Sequence, residues 1–285
     1  MEVALQLTPA TIVGILYALR AHRLAGTPRA VPEWRRWCFL GGIVLIVVTL
    51  TAMGPLSDEL FWAHMVEHLV IGDLGTLLLV LGLTGPVLTP VLRIRFFDRL
   101  RVLAHPAIAF PLWAADLYLW HVPLFHEAAV RHDVVHALQH FGFVAFGFNM
   151  WMALLGPLPK PAWFGNLARL VYIIAVRLTG AILGNVFVFG GHVFFGVYAA
   201  GERAHGISPG ADQNAAGAIM MVEGSLLTLA LFGWLFARAA SEGEERQELL
   251  DLAAAQGVEL TEARAARAVA AGRGDELRRR LESSS

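Results

Sequence analysis

Charge is scarce in this 285-residue chain: 16% of residues are Asp, Glu, Lys or Arg, against 56% hydrophobic. With a mean hydropathy of +0.58, that excludes an ordinary soluble domain, in which about a quarter of residues are charged. The chain belongs among polytopic membrane proteins, with the lipid bilayer as its first partner. Cysteine is nearly absent. Cys38 alone can form neither an internal disulfide nor a CxxC redox or copper motif, and it reads as a small apolar filler at the start of a helix. The N-terminal MEVALQLTPAT has an acid but no basic residue before its apolar stretch, so no cleavable signal is expected and the first apolar segment is retained. A formal net charge of −1 identifies no partner, because the charges are segregated, and no nucleic acid is expected.

Seven apolar segments can be drawn, near residues 6–24, 37–54, 60–83, 104–121, 134–155, 170–198 and 214–237, each close to the roughly 20 residues of helix that cross a bilayer core. The expected fold is therefore all-α, with seven transmembrane helices. Arg20 and His22 near the end of the first must snorkel to the surface. The sixth contains Arg177 and is too long for one straight span, so it is read as beginning with an interfacial helix; Gly180, Gly184, Gly190, Gly191 and Gly196 then suit close helix packing.

Loop charges give the orientation. Arg20, Arg23, Arg29, Arg35 and Arg36 crowd the first connection and Arg93, Arg95, Arg99 and Arg101 the third, which places both in the cytoplasm. The alternating connections are poor in base, with only Arg131 after His121 and only Arg203 before Asn214. The N-terminus is then outside and the C-terminus cytoplasmic. Residues 1–238 are read as the membrane domain and 239–285 as a cytoplasmic charged tail of short exposed helices, with Thr261 as an N-cap and Gly257 and Gly272 as stops.

On this topology six histidines fall at the outer ends of three spans: His64 and His68, His121, then His132, His136 and His140. Imidazoles arrayed at a membrane boundary are costly and usually bind something. His64 and His68 stand at i, i+4 in HMVEH and share a helix face, with His68 about 6 Å deeper at 1.5 Å per residue. Glu67 makes this an inverted HxxEH form of a kind known in zinc enzymes. Asp73 is roughly 140° around the helix from His68 and is expected off the ligand face. His121 ends span four, and His132, His136 and His140 repeat along one side of span five; His132, like His126, also reads as a solvated loop histidine. Asp212 is placed to cap span seven. Met220 and Met221 follow in that span as packing residues or as soft ligands favouring Cu(I). Of the intramembrane charges Glu67, Asp73, Asp116, Arg177 and Glu223, Arg177 is expected to pair with Asp73, Asp116 or Glu223 as a structural bridge.

Four ordered blocks, HMVEHLVIGDLGTLLLVLGLTGPVL, LYLWHVPLFHEAA, VVHALQHFGFVAFGFNMWMALLGPLP and DQNAAGAIMMVEG, resemble the CtaG family of bacterial membrane proteins, seven-span assembly factors for caa-type cytochrome c oxidases. The resemblance runs from about Trp34 to Phe236. It carries the family's histidines onto His64, His68, His121, His136 and His140, and the aspartate of its DQ pair onto Asp212. GDLG in span three and MMVEG in span seven depart from the family's more common residues. The resemblance implies residence in the bacterial cytoplasmic membrane and cytochrome c oxidase subunits as partners, with a copper donor protein as a further one.

Residues and resemblance together lead to the expectation of an outward-facing cup between spans three, four, five and seven that binds copper through these imidazoles, with Met220 or Met221, His132 and Glu67 as further ligands, and delivers it to an oxidase copper centre. No catalytic residue is expected on this reading. A zinc-dependent intramembrane hydrolase would instead use three of the histidines with Glu67 or Asp212 as base, and a haem carrier would use two histidines as axial ligands. A purely structural scaffold would bind oxidase subunits and no metal.

Overall fold

The computed structural model describes residues 2–270 and 272–283, without the side chains of 2–6; Met1, Ala271, Ser284 and Ser285 of the expected domains lie outside the described residues. The fold is all-helical, with no strand among the described residues. The principal helices are α1 (Glu2–Leu24), α2 (Glu33–Ala52), α3 (Phe61–Leu69), α4 (Thr76–Gly82), α5 (Pro106–Trp120), α6 (Pro123–Arg131), α7 (Asp133–Leu154), α8 (Asn166–Phe189), α9 (Pro209–Ala255), α10 (Glu262–Ala270) and α11 (Gly274–Glu282). A single π-helical turn, Val70–Gly75, joins α3 to α4. Two compact units are present, residues 1–226 and 227–285.

Four helices are long and apolar enough to cross a bilayer: Glu33–Ala52, Phe61–Gly82, Asn166–Phe189 and Pro209–Ala255. A fifth is added if Arg95–Ala104 and Pro106–Trp120, bent by 81°, form one broken span. Two of the expected spans, in α1 and α7, are helical but less apolar. Arg20, His22 and Arg23 load the first with charge, and His136, Gln139, His140 and Asn149 load the second with polar groups.

In the first unit the polarity of a soluble protein is inverted. Val44 and Val48 of α2, Leu138 and Phe141 of α7 and Leu167, Val171 and Leu178 of α8 are exposed, while His64, Glu67, Asp73, Asp116, His136 and Asp212 are buried. Apolar faces turned outward around a polar interior suit a hydrocarbon solvent. α2 packs on α4, and α7 packs on α5, α6 and the π-helical turn. Small residues permit the tightest of these approaches. A Cβ on Gly147 of α7 would stand 1.9 Å from the Gly72 carbonyl oxygen, so only glycine fits that crossing. Of the five glycines expected to pack helices in span six, Gly184 does so, its face meeting the Gly217 carbonyl of α9. Gly180 and Gly196 face open space, Gly191 is a left-handed turn at φ +70°, and Gly190 closes on Val186 and Phe194 of its own segment.

The second unit corrects one expectation. Rather than a row of merely exposed helices, the tail has a core of its own, in which Leu249, Ala253, Val269, Leu277 and Leu281 bury against one another. Arg278 pairs with Glu248, and Arg246 lies 3.5 Å from Glu262. Gly257 and Gly272 end their helices in the left-handed region at φ +65°, and the Thr261 hydroxyl accepts the Arg264 N–H at 3.3 Å, as the sequence pattern predicts.

Candidate metal centre

The i, i+4 spacing in α3 brings the His64 and His68 rings edge to face with centroids 4.1 Å apart, and the same spacing in α7 sets His136 4.2 Å from His140. Where the two helices face each other, the His64 and His136 rings stack at 5.3 Å and His68 meets His140 edge-on at 5.2 Å. One ligand atom each from His64, His68 and His136 lie within 4.8 Å of one another, and so do one each from Glu67, His136 and His140. His136 is common to both groups. Glu67 Oε2 stands 3.9 Å from His140 Nε2, so the acid of HxxEH belongs to the cluster.

Hydrogen bonding prepares these rings as ligands. His64 Nδ1 donates to the Ser57 carbonyl at 3.3 Å, which leaves Nε2 as the lone pair, and that atom has no hydrogen-bond partner. Fixing one ring nitrogen on a carbonyl to aim the other at a metal is the usual device of a metal-binding histidine. His68 is buried, at 6% exposure, and neither of its ring nitrogens has a hydrogen-bond partner. A buried polar atom left unsatisfied costs about 1–3 kcal/mol, and a cation among three imidazoles removes that cost. Nitrogen donors beside one carboxylate suit copper or zinc.

The other expected ligands go elsewhere. His132 is exposed as the N-cap residue of α7 and joins neither group. His121 donates from Nδ1 to the Leu117 carbonyl at 2.6 Å and turns Nε2 toward Met65 Sδ at 3.4 Å. Asp212 is a cap, but of a different helix from the one expected: its carboxylate accepts the Phe61 N–H at 2.9 Å and the Trp62 N–H at 2.8 Å, at the start of α3. Asp212 itself lies in the first turn of α9, and the fold brings its carboxylate to a helix start 151 residues back along the chain. Met221 packs against Gly184, and Met220 is buried among Phe61, Met65, Leu183 and Phe187.

Four residues escaped the sequence reading. His126, expected in solvent, is fully buried; its ring stands 4.8 Å from His64 and 4.1 Å from Phe195, and Nε2 meets the Tyr198 hydroxyl at 2.8 Å. Burial, followed by the neighbouring His121, holds it well below the ordinary imidazole range, so it is neutral. Gln213 completes the DQ pair by accepting the Phe194 N–H at 2.8 Å and donating to the Phe187 and His192 carbonyls at 3.0 Å. Gln139, between His136 and His140 in sequence, is fully buried with neither amide atom hydrogen-bonded. Met65 is the fourth. Of these, only Gln139 gave a local signal, as a polar residue at i+3 from His136.

Arg177 takes two of its three expected partners. Its guanidinium donates to both oxygens of Asp73, at 2.6 and 3.2 Å, and lies 3.8 Å from Glu223. Asp116 instead accepts the Trp120 indole N–H at 3.0 Å. Asp73, held by Arg177, belongs to neither ligand group, as expected, although it lines one small cavity together with His68. The π-helical turn Val70–Gly75 interrupts the α-helix between His68 and Asp73.

A family model described as cytochrome c oxidase caa3 assembly factor (Caa3_CtaG) matches residues 15–242. The chain is similar to uncharacterized protein ML1998 of Mycobacterium leprae, at 27% identity over 196 residues, 61% of this chain and 29% of the relative. It is also similar to uncharacterized proteins Mb0105 of Mycobacterium bovis and MT0111 of Mycobacterium tuberculosis, each at 28% identity over 207 residues, 65% of this chain and 29% of the relative. The alignments thus cover about 29% of the length of these curated relatives. No solved structure matches the chain.

Proposed function

The chain belongs to the cytochrome c oxidase caa3 assembly factor family, and from that premise we propose that its histidine cluster binds copper and supports delivery of the ion to an oxidase copper centre. The family supplies the role in oxidase assembly, and the cluster supplies a reason for it. The observation that carries the reading is His68: an imidazole buried in a membrane protein, with no hydrogen bond at either nitrogen, grouped with His64 and His136 at ligand spacing. Copper here is cargo. His64, His68 and His136 would hold it, and His140 with Glu67 offers an exchange position through the shared His136, the open arrangement that a transfer site needs and a closed structural site lacks.

In this reading seven spans cross the bacterial cytoplasmic membrane with the N-terminus outside, the cluster toward the outer face and residues 239–285 in the cytoplasm. The arginine-rich connections at residues 20–36 and 93–101 support that orientation. Oxidase subunits receive the ion, and a separate copper protein supplies it.

The test is elemental analysis of the full-length protein purified in detergent, loaded with Cu(I), Cu(II) or Zn(II) and desalted, beside His68→Ala/His140→Ala. Copper retained by the wild type and lost by the double variant, together with loss of oxidase activity in cells carrying that variant, is the expected result. One zinc per chain and no copper would move Glu67 to the role of general base in a hydrolase. No retained metal with intact oxidase activity would leave a metal-free scaffold.

A further inference from the structure

The small cavity that His68 and Asp73 line adjoins the cluster on the side of α5 and α9. It measures about 50 Å³ and is lined by His68, Met65, His121, Met220, Asp73 and Phe143, among others. That is room for one ion, since a site for a single water needs only about 10–15 Å³. Its decisive feature is the contact between His121 Nε2 and Met65 Sδ at 3.4 Å. The Leu117 carbonyl can only accept, so the proton of the neutral His121 ring sits on Nδ1, which bonds to it at 2.6 Å. Nε2 is then a lone pair facing a thioether, which has lone pairs and no proton. Two electron-pair donors aimed at each other in an apolar interior ask for a cation between them.

The spacing fits one. With metal–nitrogen and metal–sulfur bonds of about 2.0 and 2.3 Å and a near-tetrahedral angle, the two donors of a single ion stand roughly 3.5 Å apart. Met65 and Met220 are both buried in the same apolar cluster, and thioethers select soft monovalent ions over Cu(II) or zinc. His68 belongs to the imidazole group and also lines this cavity.

We propose that Met65, His121 and Met220 form a second, soft-metal subsite, selective for Cu(I), which receives the ion from the imidazole cluster through His68. The step exchanges ligands on Cu(I) and involves no change of oxidation state. The inference deepens the copper reading above, and its failure can be told apart from failure of that reading.

The experiment is copper K-edge X-ray absorption on the full-length protein with Cys38→Ser, loaded anaerobically with Cu(I). Removing the only thiol leaves thioethers as the sole protein sulfur. The expected result is a sulfur shell near 2.3 Å that disappears in Met65→Leu/Met220→Leu, while bound Cu(I) falls from about two per chain to about one and zinc uptake is unchanged. Leucine conserves volume, so folding is expected to survive. If that variant does not fold, the sulfur shell of the Cys38→Ser protein decides alone. Nitrogen-only copper in that protein, or a sulfur shell unchanged in the leucine variant, overturns the subsite and leaves the imidazole reading standing. Sulfur-bound copper that survives at full stoichiometry in His64→Ala/His136→Ala would do the reverse. No bound copper at all would overturn both.

Discussion

Asp212 separates a structural from a ligand role in one experiment. Its carboxylate is fully buried and accepts two N–H groups of the first turn of α3, at 2.9 and 2.8 Å. Those donors have no helical partner, because the opening N–H groups of any α-helix are orphans. A hydrogen bond to a charged group contributes about 1.5–3 kcal/mol, whereas replacing an N-cap with alanine costs about 0.5–2 kcal/mol. Burial places this cap near the upper figures, so Asp212→Ala is expected to cost about 3 kcal/mol, or roughly 6–12 °C of unfolding temperature for a unit of this size. Asp212→Asn keeps one acceptor oxygen but turns an amide N–H₂ toward the other donor, and should fall between. The assay is thermal unfolding of the detergent-purified protein by tryptophan emission at one scan rate, since such unfolding is commonly irreversible. Copper content is measured on the same samples. Both variants should keep wild-type copper. An Asp212→Ala protein that unfolds at the wild-type temperature and has lost its copper would refute the cap and make Asp212 a ligand.

Arg177→Leu leaves the carboxylates of Asp73, buried, and Glu223, partly buried, with no cation between them, a change that costs about 3–5 kcal/mol; folded yield on size-exclusion chromatography should collapse and recover when Asp73→Asn and Glu223→Gln are added, and wild-type yield from the single variant would refute the bridge. Lys160, the only lysine in the chain, donates to the Met152 carbonyl, and burial followed by repulsion from Arg169 lowers its pKa to about 8. About half of it is therefore free amine at pH 8, against under 1% for an ordinary lysine, and a membrane-impermeant acylating reagent should modify it in inverted vesicles but not in intact cells. Peptide mass spectrometry distinguishes it from the α-amino group, and modification in intact cells would reverse the proposed orientation.

The parts of the site that follow local periodicity were legible in the sequence. The i, i+4 pairs His64/His68 and His136/His140 need only a helix to share a face, and the helix supplied it. What escaped depends on other rules. His126 lies between apolar segments, where a histidine is ordinarily solvated, yet Tyr198 and Phe195, some seventy residues on, enclose it. Asp212 reads as a local cap because capping is usually local, but α9 begins earlier, with Ser208 Oγ accepting the Ala211 N–H, and the Asp212 carboxylate is free to cap α3 instead. The charge of the tail points to solvated helices, but Leu249, Leu277 and Leu281 are spaced to bury together within the second unit.

These corrections share one physical consequence. Among the described residues, three buried carboxylates of the first unit have structural occupations: Asp212 holds α3, Asp73 holds Arg177, and Asp116 holds Trp120. Glu67 is the carboxylate found at ligand distance from histidines. A cluster of neutral imidazoles with at most one acid carries little negative charge, so a divalent ion placed there stays largely uncompensated in a medium where charge is expensive. A monovalent ion is nearly balanced by Glu67 alone. Charge therefore points the same way as the thioethers of Met65 and Met220, toward Cu(I). Replacing Glu67 with Gln should then weaken Cu(I) retention while leaving the three-histidine geometry in place, and copper content that did not change would count against this balance.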